Sequence, residues 1–202
     1  MTKNEFNWTE YYNNHRNSKP TSTLLKGLKY FNDSKLSLRK KSIDIGCGQG
    51  TDVAELLREG WDVLAVDKES EAEEIIIDRF SKFHGKELIT QVQKMENIVI
   101  PQITLVNASF SLPFCNPNKF SDLWSEITTK LSIGGIFCGQ LFGLKDSWAS
   151  NKNMTFHHRN SLDSLFNNFR INLLHEENKI SKTSSGEEKN WHIFHLVAVK
   201  LK

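Results

Sequence analysis

The sequence predicts an α/β protein whose seven-stranded, mostly parallel, doubly wound sheet ends in an antiparallel C-terminal hairpin. Short apolar runs alternate with amphipathic segments over residues 21–142, which is typical of a parallel sheet with helices on both faces. A glycine-rich turn joins the first apolar run to the helix that follows it. The last two runs, 170–177 and 191–201, are joined by a polar stretch containing Ser184 and Gly186, so we expect them to pair directly.

The predicted helices are recognised by their apolar spacing and by residues that begin or end a helix. The first follows Pro20 and places Leu24, Leu25 and Leu28 on one face. Gly60 suits the C-terminal cap of the second, because glycine adopts the left-handed conformation at low cost. We expect helices over residues 21–31, 51–58, 70–83, 116–131 and 161–169.

The predicted strands are short apolar runs bounded by turn-forming residues. Pro101 precedes the fourth run, and Gly134 and Gly135 turn the chain into the fifth. The third run is the weakest of the seven. We expect strands over residues 41–45, 61–66, 88–93, 103–107, 136–142, 170–177 and 191–201.

The turn after the first strand carries the clearest functional signal. Glycine recurs at Gly46, Gly48 and Gly50, which lets the backbone turn tightly with no side chain between it and a ligand. The helix that follows presents unpaired N–H groups and the positive end of its dipole. Asp67 ends the next strand, where a carboxylate can accept both hydroxyls of a ribose. Together these features predict a site for a cofactor that contains a nucleoside.

Spacing separates this turn from the dinucleotide fingerprint, Gly-x-Gly-x-x-Gly. Position 51, where that fingerprint has its third glycine, is Thr51, and Asp52 in the first helical turn would repel a pyrophosphate. Asp44 adds a second carboxylate just before the turn. Two carboxylates suit a positively charged group, such as an ammonium or a sulfonium, so a dinucleotide-dependent oxidoreductase is disfavoured.

The segment from Asp44 to Gly50, with Asp67 beyond it, resembles the class I S-adenosylmethionine-dependent methyltransferases. The order of elements over residues 20–202 is similar to their seven-stranded, Rossmann-like fold. The resemblance implies S-adenosylmethionine as cofactor, S-adenosylhomocysteine as product, and methyl transfer as the reaction.

The resemblance also implies a role for each site residue. The glycine turn would approach the methionine part of the cofactor, Asp44 its ammonium group, and Asp67 its ribose. Residues after the third strand would hold the adenine, and Asn107 at the end of the fourth would face the methyl group. The expected cofactor-binding residues are Arg16, Asp44, Gly46, Cys47, Gly48, Gly50, Asp67, Lys68, Met95, Glu96 and Asn107.

The beginning of the chain, Trp8-x-x-Tyr11-Tyr12 followed by Lys19, resembles the tellurite-resistance and related small-molecule methyltransferases. In that group the N-terminal segment folds over the cofactor as a lid, which excludes water and fixes the acceptor. We therefore expect a single domain over 1–202, with a lid-like segment at 1–20 and the core at 21–202. The alternative is a loosely docked terminus.

The acceptor is expected to be a small molecule. Nucleic-acid amine methyltransferases carry two prolines after the residue at position 107, and this chain has Ala108 and Ser109 there. A nucleic-acid or protein methyltransferase, or a non-catalytic S-adenosylmethionine-binding module, remains the alternative. Phe142 and Trp148 are candidate walls of the acceptor pocket or packing residues, and no catalytic base is assigned.

Composition sets the remaining limits. The net charge of +2 disfavours nucleic acid as a partner. Three cysteines far apart in the sequence indicate neither a disulfide framework nor a zinc site, and no histidine pair has metal-ligand spacing. We expect no metal, no signal peptide and no membrane span, and hence a cytoplasmic protein of undetermined oligomeric state.

Overall fold

Seven long strands and one two-residue strand form a single sheet in the computed structural model, which describes residues 18–34, 37–183 and 186–202. In chain order the strands are β1 (Lys41–Ile45), β2 (Asp62–Asp67), β3 (Leu88–Val92), β4 (Ile103–Ala108), β5 (Leu131–Gly143), β6 (Phe156–His157), β7 (Phe169–Lys182) and β8 (Glu188–Lys200). The helices are α1 (Ser22–Asp33), α2 (Thr51–Arg58), α3 (Ser70–Arg79), α4 (Pro117–Lys130) and α5 (Ser161–Leu165), with 3₁₀ turns at Met95–Asn97 and Leu112–Phe114.

The strand order is β3-β2-β1-β4-β5-β8-β7, and the short β6 pairs with the end of β5. Strands β1 to β6 run parallel to one another, whereas β8 is antiparallel to both β5 and β7. The predicted α/β fold with an antiparallel C-terminal hairpin is therefore confirmed, with β6 as an added strand. The order reverses between β1 and β4, and in open sheets of this kind ligands bind beyond the carboxyl ends of the strands at that point.

The apolar core lies in two layers, one on each face of the sheet. On one face, α1, α2 and α3 contribute Leu24, Leu56 and Ile76, all inaccessible to solvent. On the other face, α4 and α5 cover the sheet, and Trp124 packs against Phe166 with ring centroids 4.9 Å apart. Each helix thus buries an apolar stripe, but Leu25, which was predicted on the buried face of α1, is 42% exposed.

Two helices are shorter than their apolar spacing predicts. The third was expected to reach residue 83, but α3 ends at Arg79, because Phe80 leaves helical geometry and packs its ring beside Gly50. The last was expected to reach residue 169, but α5 ends at Leu165. The apolar residues that follow it pack against α4 and lead into β7.

The C-terminal hairpin is longer than the apolar runs predict. Strands β7 and β8 remain paired as far as Lys182 and Glu188, beyond the end of the β5–β8 pairing at Ile193. The extension is polar, so the criterion of apolar alternation missed it. Because of this extension, the tip of the hairpin, where only β7 and β8 are paired, lies beyond the carboxyl ends of the parallel strands.

No helix within residues 18–34, 37–183 and 186–202 is long and apolar enough to span a membrane. The predicted lid over residues 1–20 and the predicted ligand Arg16 lie outside the described residues, apart from positions 18–20.

Candidate functional site

The glycine turn between β1 and α2 adopts the backbone conformation that its glycines permit. Gly46, Gly48 and Gly50 all have positive φ, at 72°, 51° and 79°. The amides of Gly46 and Cys47 both donate to the carbonyl of Val66, at 2.8 and 3.0 Å, so the turn is fixed to the end of β2. A Cβ on Gly46 would lie 2.4 Å from Ser111 Cβ, closer than real contacts allow. Only glycine fits at that position.

The turn opens into a cavity of about 1330 Å³ at the carboxyl ends of the parallel strands. Eight of the predicted cofactor residues line it, namely Asp44, Gly46, Cys47, Gly48, Asp67, Lys68, Met95 and Glu96. Two do not reach it: Gly50 packs against Ile76 and Phe80, and Asn107 is fully buried.

Asp44 is the most unusual carboxylate of the cavity. Its side chain is buried, and Oδ1 accepts a hydrogen bond of 2.8 Å from Asn107 Nδ2. Its Oδ2 is closed to solvent and has no hydrogen-bond partner in the described part of the chain. Burial raises the pKa of Asp44 well above its usual value, and the neighbouring Asp52 raises it further. A buried acceptor atom of this kind at a cavity wall fits a cationic donor such as an ammonium group.

Asp52 has a structural role that its sequence position does not reveal. It accepts from Thr21 N and Oγ1, both at 2.8 Å, from Ser109 Oγ at 2.7 Å and from Asn107 Nδ2 at 2.9 Å. The Asn107 amide therefore bridges Asp44 and Asp52. We conclude that Asn107 positions Asp44 from behind and does not itself reach the cavity.

Asp67 lies at the end of β2, beside the glycine turn. Its Oδ2 accepts from Gly48 N at 2.9 Å and its Oδ1 from Glu69 N at 3.1 Å. Burial raises the pKa of Asp67, and these backbone bonds oppose that rise. The neighbouring Lys68 forms an ion pair of 2.9 Å with Glu69. Two backbone donors thus orient the Asp67 carboxylate at the cavity wall.

The 3₁₀ turn after β3 brings Met95 and Glu96 to the same cavity. Glu96 Oε1 accepts from the amide of Asn116, the N-cap of α4, at 3.0 Å. Met95 packs against the core of the α4 face. The loop that was predicted to hold the adenine is therefore fixed by the hydrogen bond of Glu96 and by the packing of Met95.

An aromatic wall closes the far end of the cavity. It consists of Phe110, Phe114, Phe142, Trp148 and Trp191. The Trp148 and Trp191 rings are 5.6 Å apart, and Phe142 meets Trp191 edge-on at 6.0 Å. Phe142 and Trp148, whose role the sequence left open, thus line the cavity, and Trp191 was missed.

A buried ion pair supports this wall from behind. The Lys189 ammonium lies 3.5 Å from the Trp191 centroid, 4.1 Å from the Trp148 centroid and 2.6 Å from the carboxylate of Asp146. Both charged side chains are almost inaccessible to solvent. Burial lowers the pKa of Lys189, while the bond to Asp146 acts in the opposite direction. Because each charge neutralises the other, the pair fixes the wall without presenting a net charge.

Phe110 joins the wall to the end of β4 in a strained conformation. Its φ of 56° lies in the left-handed region, which costs a non-glycine residue roughly 1–2 kcal/mol. Its amide donates to Gln140 Oε1 at 2.9 Å, and Gln140 Nε2 donates to Thr23 Oγ1 at 2.9 Å. These bonds hold the turn in place, and such strain is concentrated at functional sites.

Burial keeps two reactive side chains, Cys47 and His157, in their uncharged forms. Cys47 lines the cavity, but burial and the nearby Asp44 and Asp67 raise the pKa of its thiol well above the usual value, as expected for a packing residue. His157 meets Phe120 edge-on, and burial lowers its pKa to about 4. Within the described ranges, no group of three or more His, Cys, Asp or Glu side chains is arranged to hold a metal.

Comparison with known proteins identifies the family. The family model of the tellurite resistance protein TehB matches residues 7–140, more than half of the chain. The chain belongs to the TehB family. No curated protein gave a match in a sequence search. The predicted family is confirmed, and several solved structures that share the fold are S-adenosylmethionine-dependent methyltransferases.

Solved structures share the fold at low sequence identity. TehB from Haemophilus influenzae superposes with a TM-score of 0.69 and 16% identity, over 85% of this TehB-family chain and 61% of that one. The present chain thus spans less than two thirds of its length. A methyltransferase from Methanosarcina mazei gives a TM-score of 0.60 and 19% identity, over 84% and 96%. The Haemonchus contortus phosphoethanolamine N-methyltransferase 2 gives a TM-score of 0.66 and 17% identity, over 96% of this chain and 57% of that one.

Proposed function

We propose that this protein transfers the methyl group of S-adenosylmethionine to a small-molecule acceptor. Asp44 lines the cavity beside the glycine turn, and the observation that carries the proposal is its buried Oδ2, which lacks a partner in the described residues. An ammonium group would satisfy it. Asp67 would accept from the ribose, and Met95 and Glu96 would contact the adenine.

The cofactor, when bound, supplies a methyl group on a positively charged sulfur that is already a strong electrophile. The chain therefore has mainly to align the acceptor with that methyl group. Alignment of two reactants contributes roughly 7–11 kcal/mol in favourable cases. Arg16 remains our candidate for the cofactor carboxylate, and Asn107 acts through Asp44.

The size of the cavity supports a small acceptor. Pockets for a single small ligand occupy about 300–1000 Å³. A cavity of about 1330 Å³ therefore has room for a second small molecule beside the cofactor. The relatives with a small-molecule substrate in their names, such as the phosphoethanolamine N-methyltransferase, are consistent with this proposal. Three free cysteines, Cys47, Cys115 and Cys138, support a reducing, cytoplasmic location.

The Asp67→Ala variant tests the proposal by isothermal titration with S-adenosylhomocysteine. We expect the unmodified protein to bind and the variant to bind at least about tenfold more weakly, since a charge-assisted bond contributes about 1.5–3 kcal/mol. Asp62→Ala, at the exposed beginning of the same strand, is the control and should bind normally.

Absence of binding to the unmodified protein would refute the proposal. Binding without methyl transfer to any thiol, oxyanion, amine or carboxylate in a screen would instead favour the non-catalytic alternative.

A further inference from the structure

His195 on β8 is a titratable side chain of the cavity to which the cofactor proposal assigns no role. It lines the same cavity as Asp44 and Asp67 and meets the Phe110 ring edge-on, with centroids 6.1 Å apart. In the sheet it is paired with Gln140, one position beyond the Gly139–Ala108 pair that links β5 to β4. His195 therefore lies about two strand spacings, roughly 10 Å, from the end of β4.

The surroundings of His195 keep its imidazole neutral. Its side chain is only 16% exposed, and burial lowers its pKa below the usual value. His175 and Lys179 on β7 and Lys26 on α1 act in the same direction, whereas Glu177 on β7 raises the pKa. A neutral imidazole can accept a proton at physiological pH.

Glu177 is placed to set the tautomer of this imidazole. His195 Nε2 is closed to solvent and has no hydrogen-bond partner within the described ranges, and Glu177 Oε2 lies 3.8 Å from it. Catalytic hydrogen bonds are often this long before substrate binds. A proton kept on Nε2 by this carboxylate leaves the lone pair on the other ring nitrogen, Nδ1.

The wall around His195 indicates the kind of molecule that it meets. Five aromatic residues line the cavity, although the Phe142 ring is almost fully buried, and Ile193 continues the wall on β8. Two lysines beside the wall are paired with carboxylates, Lys189 with Asp146 and Lys179 with Glu177 at 2.7 Å. Ring faces and paired charges favour a flat, uncharged, apolar ligand.

We propose that His195 is a catalytic residue that takes a proton from the methyl acceptor, and that this acceptor is a flat apolar molecule bearing a hydroxyl, thiol or ring N–H. The proposal rests on the methyltransferase function proposed above. A lone pair of the acceptor forms the bond to the methyl carbon, the carbon–sulfur bond breaks, and its electron pair stays on sulfur as a neutral thioether. The acceptor proton moves to the imidazole and from there to solvent.

The test uses two probes of the same shape, phenol and thiophenol. At about pH 8 phenol is protonated, whereas thiophenol is mostly thiolate and needs no base. We expect His195→Gln to lower methyl transfer to phenol about 100-fold, the lower range for general base catalysis, and transfer to thiophenol less than about threefold. The phenol rate of the unmodified protein should rise with pH as His195 loses its proton, and the variant should lose this rise.

His175→Gln is the matched control. His175 lies on β7 with its ring centroid 5.7 Å from that of His195, but it is exposed and does not line the cavity. Because His175 contributes only a minor part of the lowered pKa of His195, its replacement should leave both rates at about pH 8 nearly unchanged. Glu177→Gln, which alters a positioning residue, should lower only the phenol rate, and by less than His195→Gln does.

A second readout does not depend on turnover. In the protein saturated with S-adenosylhomocysteine, phenol should shift the Cε1–H NMR resonance of His195, assigned with the variant, and leave that of His175 in place. An unshifted resonance, or equal losses with phenol and thiophenol in His195→Gln, would overturn the proposal. Failure to bind S-adenosylhomocysteine would instead refute the function on which it rests.

Discussion

Substitution of alanine for Gly46 tests whether the glycine turn is as tightly packed as the structure shows. Two costs apply to Gly46→Ala. A φ of 72° is the left-handed region, which costs an alanine roughly 1–2 kcal/mol. The new Cβ would also lie 2.4 Å from Ser111 Cβ, and overpacking of this kind costs about 1–3 kcal/mol.

Gly60→Ala separates the two costs. Gly60 has nearly the same φ, 75°, but no described atom lies within 4 Å of the Cβ that alanine would add. We therefore expect a loss of roughly 1–2 kcal/mol in the free energy of unfolding for Gly60→Ala and roughly 2–5 kcal/mol for Gly46→Ala. Urea denaturation followed by circular dichroism measures both losses.

A double variant identifies the atom responsible. Removal of the Ser111 side chain leaves its Cα, 3.7 Å away, as the nearest atom of that residue to the new Cβ. Ser111→Gly should therefore be less destabilising when Gly46 is already alanine, with a coupling energy of about 1 kcal/mol or more. Equal losses in Gly46→Ala and Gly60→Ala, or purely additive losses in the double variant, would refute the reasoning.

Two further predictions concern buried charges. Because burial raises the pKa of Asp44, the contribution of this group to stability is greatest below its unfolded pKa and falls as the pH rises towards its folded pKa. Asp44→Asn removes this loss, so the thermal midpoint of the variant minus that of the unmodified protein should be larger at about pH 8 than at about pH 4. The variant should also bind S-adenosylhomocysteine more weakly. A difference in midpoint that does not depend on pH would contradict the raised pKa of Asp44. Lys189→Met leaves the Asp146 carboxylate buried without its cationic partner, so we expect urea denaturation to show a loss of about 3–5 kcal/mol in the free energy of unfolding. A loss below about 1 kcal/mol would show that the pair is not buried in solution.

Local patterns in the sequence were sufficient to predict the sheet and the glycine turn. The turn depends on residues adjacent in the chain, and its glycines have the positive φ values that their spacing requires. Asp44 and Asp67 lie at strand ends that parallel pairing brings together, so they could be placed as well. Eight of the eleven predicted cofactor residues line the cavity, although their contact with the cofactor stays a prediction.

The sequence could not show which side chains act through others. Asn107 and Asp52 lie in different elements and meet only because β4 neighbours β1, so neither the bridge between the carboxylates nor the bonds to Thr21 could be anticipated. The aromatic wall was incompletely predicted for the same reason, since Trp191 reaches it through a polar hairpin extension that lacks the apolar alternation of a buried strand. His195 and Trp191 lie on the same face of β8, which is a signal that could have grouped them.

The extended β7–β8 hairpin has a consequence for how acceptor preference could change during evolution. From Ile193 towards the tip of the hairpin, β8 is no longer paired with β5. The loop after β5 contacts this part of β8 instead, through the ion pair between Asp146 and Lys189 and two hydrogen bonds between Ser147 and Asn190. Most of these are side-chain bonds, which open more easily than a strand ladder, so amides near residues 188–192 should exchange hydrogen before those of the central strands. Substitutions there can reshape the aromatic wall, where we propose that the acceptor binds, while the end of the cavity with the glycine turn, built on β1, β2 and β4, keeps its own separate support.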